Sequence, residues 1–139
     1  MRILGLDYGA KRIGVAICDE LGLTAQALAV IERKNKKSDL AAIDYFVQTY
    51  GVEKIVIGYP LRLDGTAGIQ CEKVDAFIRI LAVLFPIPII RWDEALSTKE
   101  AEEILRTLQV RVKKRRGVVD KIAAGKILQG YLDSLVKTG

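Results

Sequence analysis

Two apolar runs, Ile3–Leu6 and Ile13–Ile17, stand too close together for a crossover helix to fit between them. A third run, Leu23 to Ile31, follows after Asp19-Glu-Leu-Gly22, which reads as a turn. Two short connections in succession imply an antiparallel meander of strands over 2–8, 12–18 and 23–31. In the third, Leu23, Ala25, Ala27, Ala29 and Ile31 share one parity, as a half-buried strand requires.

The pattern then changes period. Glu32-Arg-Lys-Asn-Lys-Lys37 reads as a solvated loop, and Ser38-Asp39 offers an N-cap. Leu40, Ile43, Val47 and Tyr50 recur at helical spacing, and Gly51 is placed as a C-cap glycine. A short strand over 54–58, a breaker-rich loop over 59–65 and a long helix up to Phe85 follow, with Val74, Phe77, Ile78, Leu81 and Leu84 on one face and Pro86 as its stop. Residues 87–92 read as a further strand, where Pro88 suits an edge. Ser97-Thr-Lys-Glu100 matches a capping box before the stripe Ala101, Ile104, Leu105 and Leu108. The basic run Arg111–Arg116 reads as a loop, and a last helix spans about Val118 to Val136.

The predicted order is therefore β-β-β-α-β-α-β-α-α. Strands entered through crossover helices run parallel to their neighbours, which makes the chain α/β. The expected sheet is mixed and five-stranded, in the order 3-2-1-4-5 with strand 2 antiparallel and helices on both faces. The length of 139 residues is that of one domain, covering 1–139. With no signal-like start and no long apolar span, the chain is expected to be soluble, unprocessed and cytoplasmic, with no membrane partner. Cys18 and Cys71 are expected to be buried free thiols.

Asp7 stands out in this frame. It ends the first apolar run, and Asp7 falls at the carboxyl end of a central strand, where α/β sheets bind ligands. A carboxylate there costs several kcal/mol in desolvation, roughly, unless something compensates it. Asp93 and Glu94 follow the fifth strand at the same edge, and Asp120 begins the last helix. Periodicity leaves open which of Asp93 and Glu94 serves, and Asp120 alone would read as a cap. Acids gathered at one point repel one another, and a hard divalent cation, Mg²⁺ or Mn²⁺, resolves the conflict. The chain has no histidine, which excludes Ser-His-Asp, Cys-His and His-ligated zinc chemistry. Carboxylates that hold two such ions can cleave phosphodiesters without one. A net charge of +5 favours a polyanionic partner such as nucleic acid.

Four separated blocks resemble the YqgF/RuvX family: Asp7-Tyr-Gly9 with Lys11-Arg-Ile-Gly14, Gly58-Tyr-Pro-Leu61 with Asp64-Gly-Thr66, Asp93-Glu94 with Leu96-Ser-Thr98, and Val119-Asp120 with Ala123-Ala124. The resemblance covers nearly the whole chain in the right order. It implies a ribonuclease H-like fold and a bacterial cytoplasmic nuclease, acting either in maturation of the 5′ end of pre-16S ribosomal RNA or in Holliday-junction resolution. By that resemblance Asp7, Glu94 and Asp120 are the metal-binding catalytic acids. The family usually has an arginine after the Asp-Glu pair, where this chain has Ala95; that implies one phosphate clamp fewer. Lys11 and Arg12, near Asp7, and Arg111, Lys113, Lys114, Arg115 and Arg116, near Asp120, are the candidate contacts to structured RNA or branched DNA. A two-fold symmetric junction as substrate would favour a homodimer. The competing readings are an actin-like ATPase or sugar kinase, whose phosphate loop opens similarly but which needs two such domains, and a non-catalytic nucleic-acid-binding module.

Overall fold

The structure is a computed structural model that describes residues 2–60, 68–93 and 112–137, with side chains described only for 122–135 in the last segment. Five strands form one sheet: β1 (Arg2–Tyr8), β2 (Arg12–Cys18), β3 (Ala25–Glu32), β4 (Val52–Tyr59) and β5 (Ile89–Asp93). Their order is β3-β2-β1-β4-β5, as expected. β2 is antiparallel to both β1 and β3, whereas β4 runs parallel to β1 and β5 parallel to β4. The carboxyl ends of β1, β3, β4 and β5 therefore share one edge of the sheet. Three helices are described: α1 (Lys36–Tyr50), α2 (Ile69–Leu84) and α3 (Val112–Lys137). None of the described helices is long and apolar enough to cross a membrane.

The strands are apolar on both sides because both sides are covered. Leu4, Leu6, Ile13, Val15, Ile55 and Ile57 pack on one face against Ile43 and Val47 of α1 and Val74, Phe77, Ile78 and Leu81 of α2. Ile3, Ala16, Cys18 and Val56 pack on the other against Ala124, Ile127, Leu128 and Leu132 of α3. Both cysteines are free and buried, as expected. Gly51 ends α1 in the left-handed region, at φ +60°, also as expected. Pro88 precedes β5, the edge strand, and its carbonyl accepts from the Ile55 amide at 2.9 Å.

Three local expectations need correction. First, the N-cap of α1 is Asn35, whose Oδ1 accepts from the Ser38 amide at 2.8 Å; Ser38 and Asp39 lie inside the first turn. Asp39 is buried there, its Oδ1 accepting from the Lys34 amide at 3.1 Å. Second, the single parity of the third strand does not mean a single face. Val15 pairs with Ala29 but Ala16 pairs with Ala27, so Leu28 bulges out of register. An inserted residue reverses the alternation, and Ala29 packs with the α1–α2 core while Ala25 packs with the α3 core. Leu23 precedes the strand and is exposed. Third, α3 begins at Val112, not near Val118, so Lys113–Arg116 are helical and not a loop. Lysine and arginine are strong helix formers, and one interior glycine, Gly117, costs only about 1 kcal/mol. The capping box at 97–100 and the stripe at 101–108 lie outside the described residues, as does the loop 61–67.

Candidate active site

Alternation along β1 puts Ile3, Gly5 and Asp7 on the α3 face of the sheet. Asp7 is half-buried and pairs with Gly14 of β2. On its other side the β1–β4 register ends at Leu6–Ile57, so Gly58 lies beside Asp7. At this level the three central strands thus offer Gly14, Asp7 and Gly58, and only the carboxylate projects a side chain. Gly58 pairs in turn with Trp92. Trp92 is half-buried, packs with the α3 core and sits edge-on to Tyr131 at 5.8 Å, so it belongs to the core and not to a stacking platform.

α3 descends over this face in a known direction. Ala124 lies against Gly5: a Cβ built on Gly5 would stand 3.2 Å from the Ala124 carbonyl oxygen and 2.8 Å from Leu128 Cβ. Seven residues after Ala124, the Tyr131 hydroxyl meets Lys54 Nζ at 2.8 Å, and Lys54 pairs with Ile3. Moving back along α3 therefore moves toward the carboxyl edge. Position 120 precedes Ala124 by one helical turn, about 6 Å. Asp7 lies two strand residues beyond Gly5, about 6.6 Å. The backbone positions 7 and 120 thus stand at similar heights over the sheet. Position 120 is also more than two turns inside α3, past the first turn where a cap sits. That removes the cap reading left open by the sequence.

Glu94 and Arg111 lie outside the described residues. Asp93 closes β5 opposite Tyr59, on the face shared with Arg91 and α2, and so on the side of the sheet away from Asp7. Lys11 is exposed at the tip of the β1–β2 turn. Arg12, at the start of β2, is half-buried and its Nε meets Glu32 Oε1 at 3.2 Å, so it is engaged in an exposed ion pair. Lys113, Lys114, Arg115 and Arg116 fall in the first turns of α3.

Two networks that the sequence did not reveal brace this edge from the opposite face. Arg33 Nη1 donates to the carbonyls of Gly9 and Ala10, at 2.7 and 3.1 Å, and its guanidinium lies 4.4 Å from the centre of the Tyr8 ring. Buried Asp39 stands behind it, with Oδ2 3.7 Å from Arg33 Nε. The turn itself closes through a bond from the Gly9 amide to the Arg12 carbonyl at 2.9 Å. A Cβ on Gly9 would come within 2.8 Å of that carbonyl oxygen, so the turn needs glycine. Further along the edge, the Tyr59 hydroxyl donates to Asp75 Oδ2 and Arg91 Nε donates to Asp75 Oδ1, both at 2.8 Å. Burial would raise the Asp75 pKa, but these bonds to Arg91 and Tyr59 outweigh it and hold the carboxyl below its usual range. The same bond to Asp75, with burial, pushes the Tyr59 hydroxyl up to about 12. Within the charged run 32–37 Arg33 is the one arginine, but its inward role shows only in the packing of Tyr8 and Asp39 around it.

The profile of the RuvX family, described as Holliday junction resolvase, matches residues 1–134. The chain belongs to the RuvX family. Its members are nucleases, and the chain is accordingly an enzyme that hydrolyses phosphodiester bonds. A relative from Syntrophus aciditrophicus is 67% identical over 135 residues, covering 97% of this chain and 90% of its own length. One from Moorella thermoacetica is 47% identical and covers 100% and 99%. Both carry the provisional name pre-16S rRNA nuclease. Among solved structures, T. thermophilus RuvC in complex with Holliday junction substrate aligns over 99% of this chain and 98% of that one, with a TM-score of 0.59 and 13% identity. Fowlpox virus resolvase in complex with Holliday junction DNA aligns over 98% and 99%, with a TM-score of 0.58 and 14% identity. At such identities the likeness is one of fold, and the fold is ribonuclease H-like.

Proposed function

We propose that this protein is a metal-dependent nuclease that trims the 5′ end of pre-16S ribosomal RNA in the cytoplasm, with residues 1–139 acting as one domain. The observation that carries the reading is the placement of Asp7. Its neighbours across the ladder, Gly14 on β2 and Gly58 on β4, are glycines, so at its level the carboxylate is the one side chain, on the face that α3 covers. The choice of substrate is supported by the names of relatives, one of them 67% identical to this chain.

Asp7, Glu94 and Asp120 would be the catalytic acids and would hold Mg²⁺ or Mn²⁺. Three carboxylates offer oxygens only, the donor type a hard cation takes, and the residues paired beside Asp7 are glycines. Asp93, on the far face, does not fit. When bound, the cation would supply neutralisation of charge developing at the phosphodiester. The chain's own part is to orient and to attract. β1 fixes the Asp7 carboxylate, the β1–β2 turn brings Lys11 and Arg12 beside it, and Arg111 with Lys113, Lys114, Arg115 and Arg116 adds positive charge ahead of Asp120. These cations would hold the phosphate backbone.

The experiment compares wild-type protein with Asp7→Ala, each with Mg²⁺ or Mn²⁺, on a 5′-extended 16S rRNA precursor and on a four-way DNA junction. Wild type should cleave the precursor and leave a 5′-phosphate, whereas Asp7→Ala should bind it and leave it intact. Cleavage by Asp7→Ala at the wild-type rate would sink the mechanism. Cleavage of the junction alone would favour resolution of DNA junctions, the activity in the family's description. Binding without cleavage would point to a non-catalytic module.

A further inference from the structure

The β3–α1 connection carries a second set of cations, and the topology brings it to the same edge as Asp7. β3 runs parallel to β1, because each is antiparallel to β2. Its carboxyl end, Glu32, pairs with Arg12 at the start of β2. The next residue is bonded to the turn beside Asp7: the Arg33 amide donates to the Lys11 carbonyl at 2.9 Å, and the Arg33 side chain donates to the carbonyls of Gly9 and Ala10. Arg33 thus joins the β1–β2 turn and the β3–α1 connection into one rim.

The charges on this rim are sorted by depth. The two acids in the stretch are directed to arginines: Glu32 pairs with Arg12, and Asp39 is buried beneath Arg33. The next acid on α1, Asp44, lies five residues after Asp39 and accepts from Gln48. Lys11, Lys34, Lys36 and Lys37 are all exposed, and among the described residues none of them forms an ion pair. Lys34 to Lys37 spans at most about 10 Å of chain, comparable with the reach of two or three successive phosphates.

We propose that Lys34, Lys36 and Lys37 form, with Lys11, a basic lip that binds the phosphodiester backbone of the nucleic acid next to the bond being cut. The proposal rests on the nuclease reading above and extends its surface to a segment that reads, in the sequence, as an ordinary solvated loop. The lip recognises backbone charge and not sequence, because lysine ammonium groups are point charges on flexible stems. Arg33 is a positioning residue, with its guanidinium turned inward to backbone carbonyls.

The test measures binding of the 5′-extended 16S rRNA precursor and of the four-way DNA junction across a series of KCl concentrations. The parent is Asp7→Ala, so that cleavage does not disturb the titration, and wild-type cleavage is assayed separately. Each phosphate contact contributes roughly 0.7–0.9 to the slope of log affinity against log salt. Removing three charges as Lys34→Gln, Lys36→Gln and Lys37→Gln should therefore flatten the slope by roughly 2–3. Arg79→Gln, which removes an exposed cation partway along α2, should leave the slope nearly unchanged. A triple variant with the parent's slope on both probes would overturn the lip while leaving the nuclease reading intact. An equal effect per charge from Arg79→Gln would overturn it too, since overall charge would then suffice. A wild-type protein that neither binds nor cleaves either probe would overturn the nuclease reading and the lip together.

Discussion

Replacing Gly5 with alanine tests whether the close approach of α3 to β1 sets both stability and the site. The added Cβ would stand 2.8 Å from Leu128 Cβ and 3.2 Å from the Ala124 carbonyl oxygen. Carbon atoms in contact settle near 3.5–4.0 Å, so α3 and β1 must separate by about 1 Å. Neither neighbour can swing aside, because one is a carbonyl and the other a Cβ fixed to the backbone. Overpacking of this kind costs about 1–3 kcal/mol. Against it stands a gain of about 0.5–1 kcal/mol, since alanine loses less backbone entropy than glycine on folding. The net loss should be roughly 1–2 kcal/mol. Urea denaturation should show a lower midpoint at an unchanged slope. Leu128→Ala should not rescue the variant, because the clashing Cβ remains. The same separation lifts position 120, one turn from Ala124, relative to Asp7. Misplacement by 1 Å can cost about 100-fold in rate, so turnover under folding conditions should fall further than the folded fraction does. A Gly5→Ala protein as stable and as active as wild type would refute the account of α3 as the element that holds the site together.

Two further perturbations probe the braces. Arg33→Ala should destabilise by about 1–3 kcal/mol, because it leaves Asp39 buried without its cation and releases the carbonyls of Gly9 and Ala10. Arg33→Lys should recover only part of this, since an ammonium lacks the planar fork; an alanine variant with wild-type stability in urea would show that the turn holds without Arg33. Tyr59 should ionise near pH 12 in an ultraviolet titration, and Asp75→Asn should bring it back toward 10. The sign follows from the raised value: the fold favours the protonated phenol, so this stabilisation is full below pH 10 and is lost as pH rises through 12. A Tyr59 titration left unmoved by Asp75→Asn would show that the Tyr59–Asp75 bond is not made.

Period-2 and period-3.6 patterns, glycine punctuation and crossover logic together specified the sheet order, the central position of β1 and the placing of Asp7 at a carboxyl edge. These rest on local sterics and on burial of apolar surface, both written into successive residues. The boundaries that failed depend on exchanges between neighbours. Ser38 looks like a cap, yet it is Asn35 that bonds its amide. The Arg111–Arg116 run looks like a loop because it lacks an apolar stripe, yet from Val112 onward it continues a helix whose later turns are anchored on the sheet.

What the sequence determined alone was which residues could do chemistry: no histidine, a few acids after strands or near a helix start, and an excess of lysine and arginine to meet phosphate. Tertiary structure decided where along the sheet these stand. The alternation along β5 sends Asp93 to the face away from Asp7. The contact at Gly5 brings position 120 level with Asp7. Pairing through β2 carries Arg33 from a charged run to the turn behind the site. Chain spacing fixes the side of a strand on which a residue stands only while the ladder stays in register. A bulge such as Leu28, or an approach between elements far apart in sequence, has its cause in packing that no local pattern encodes.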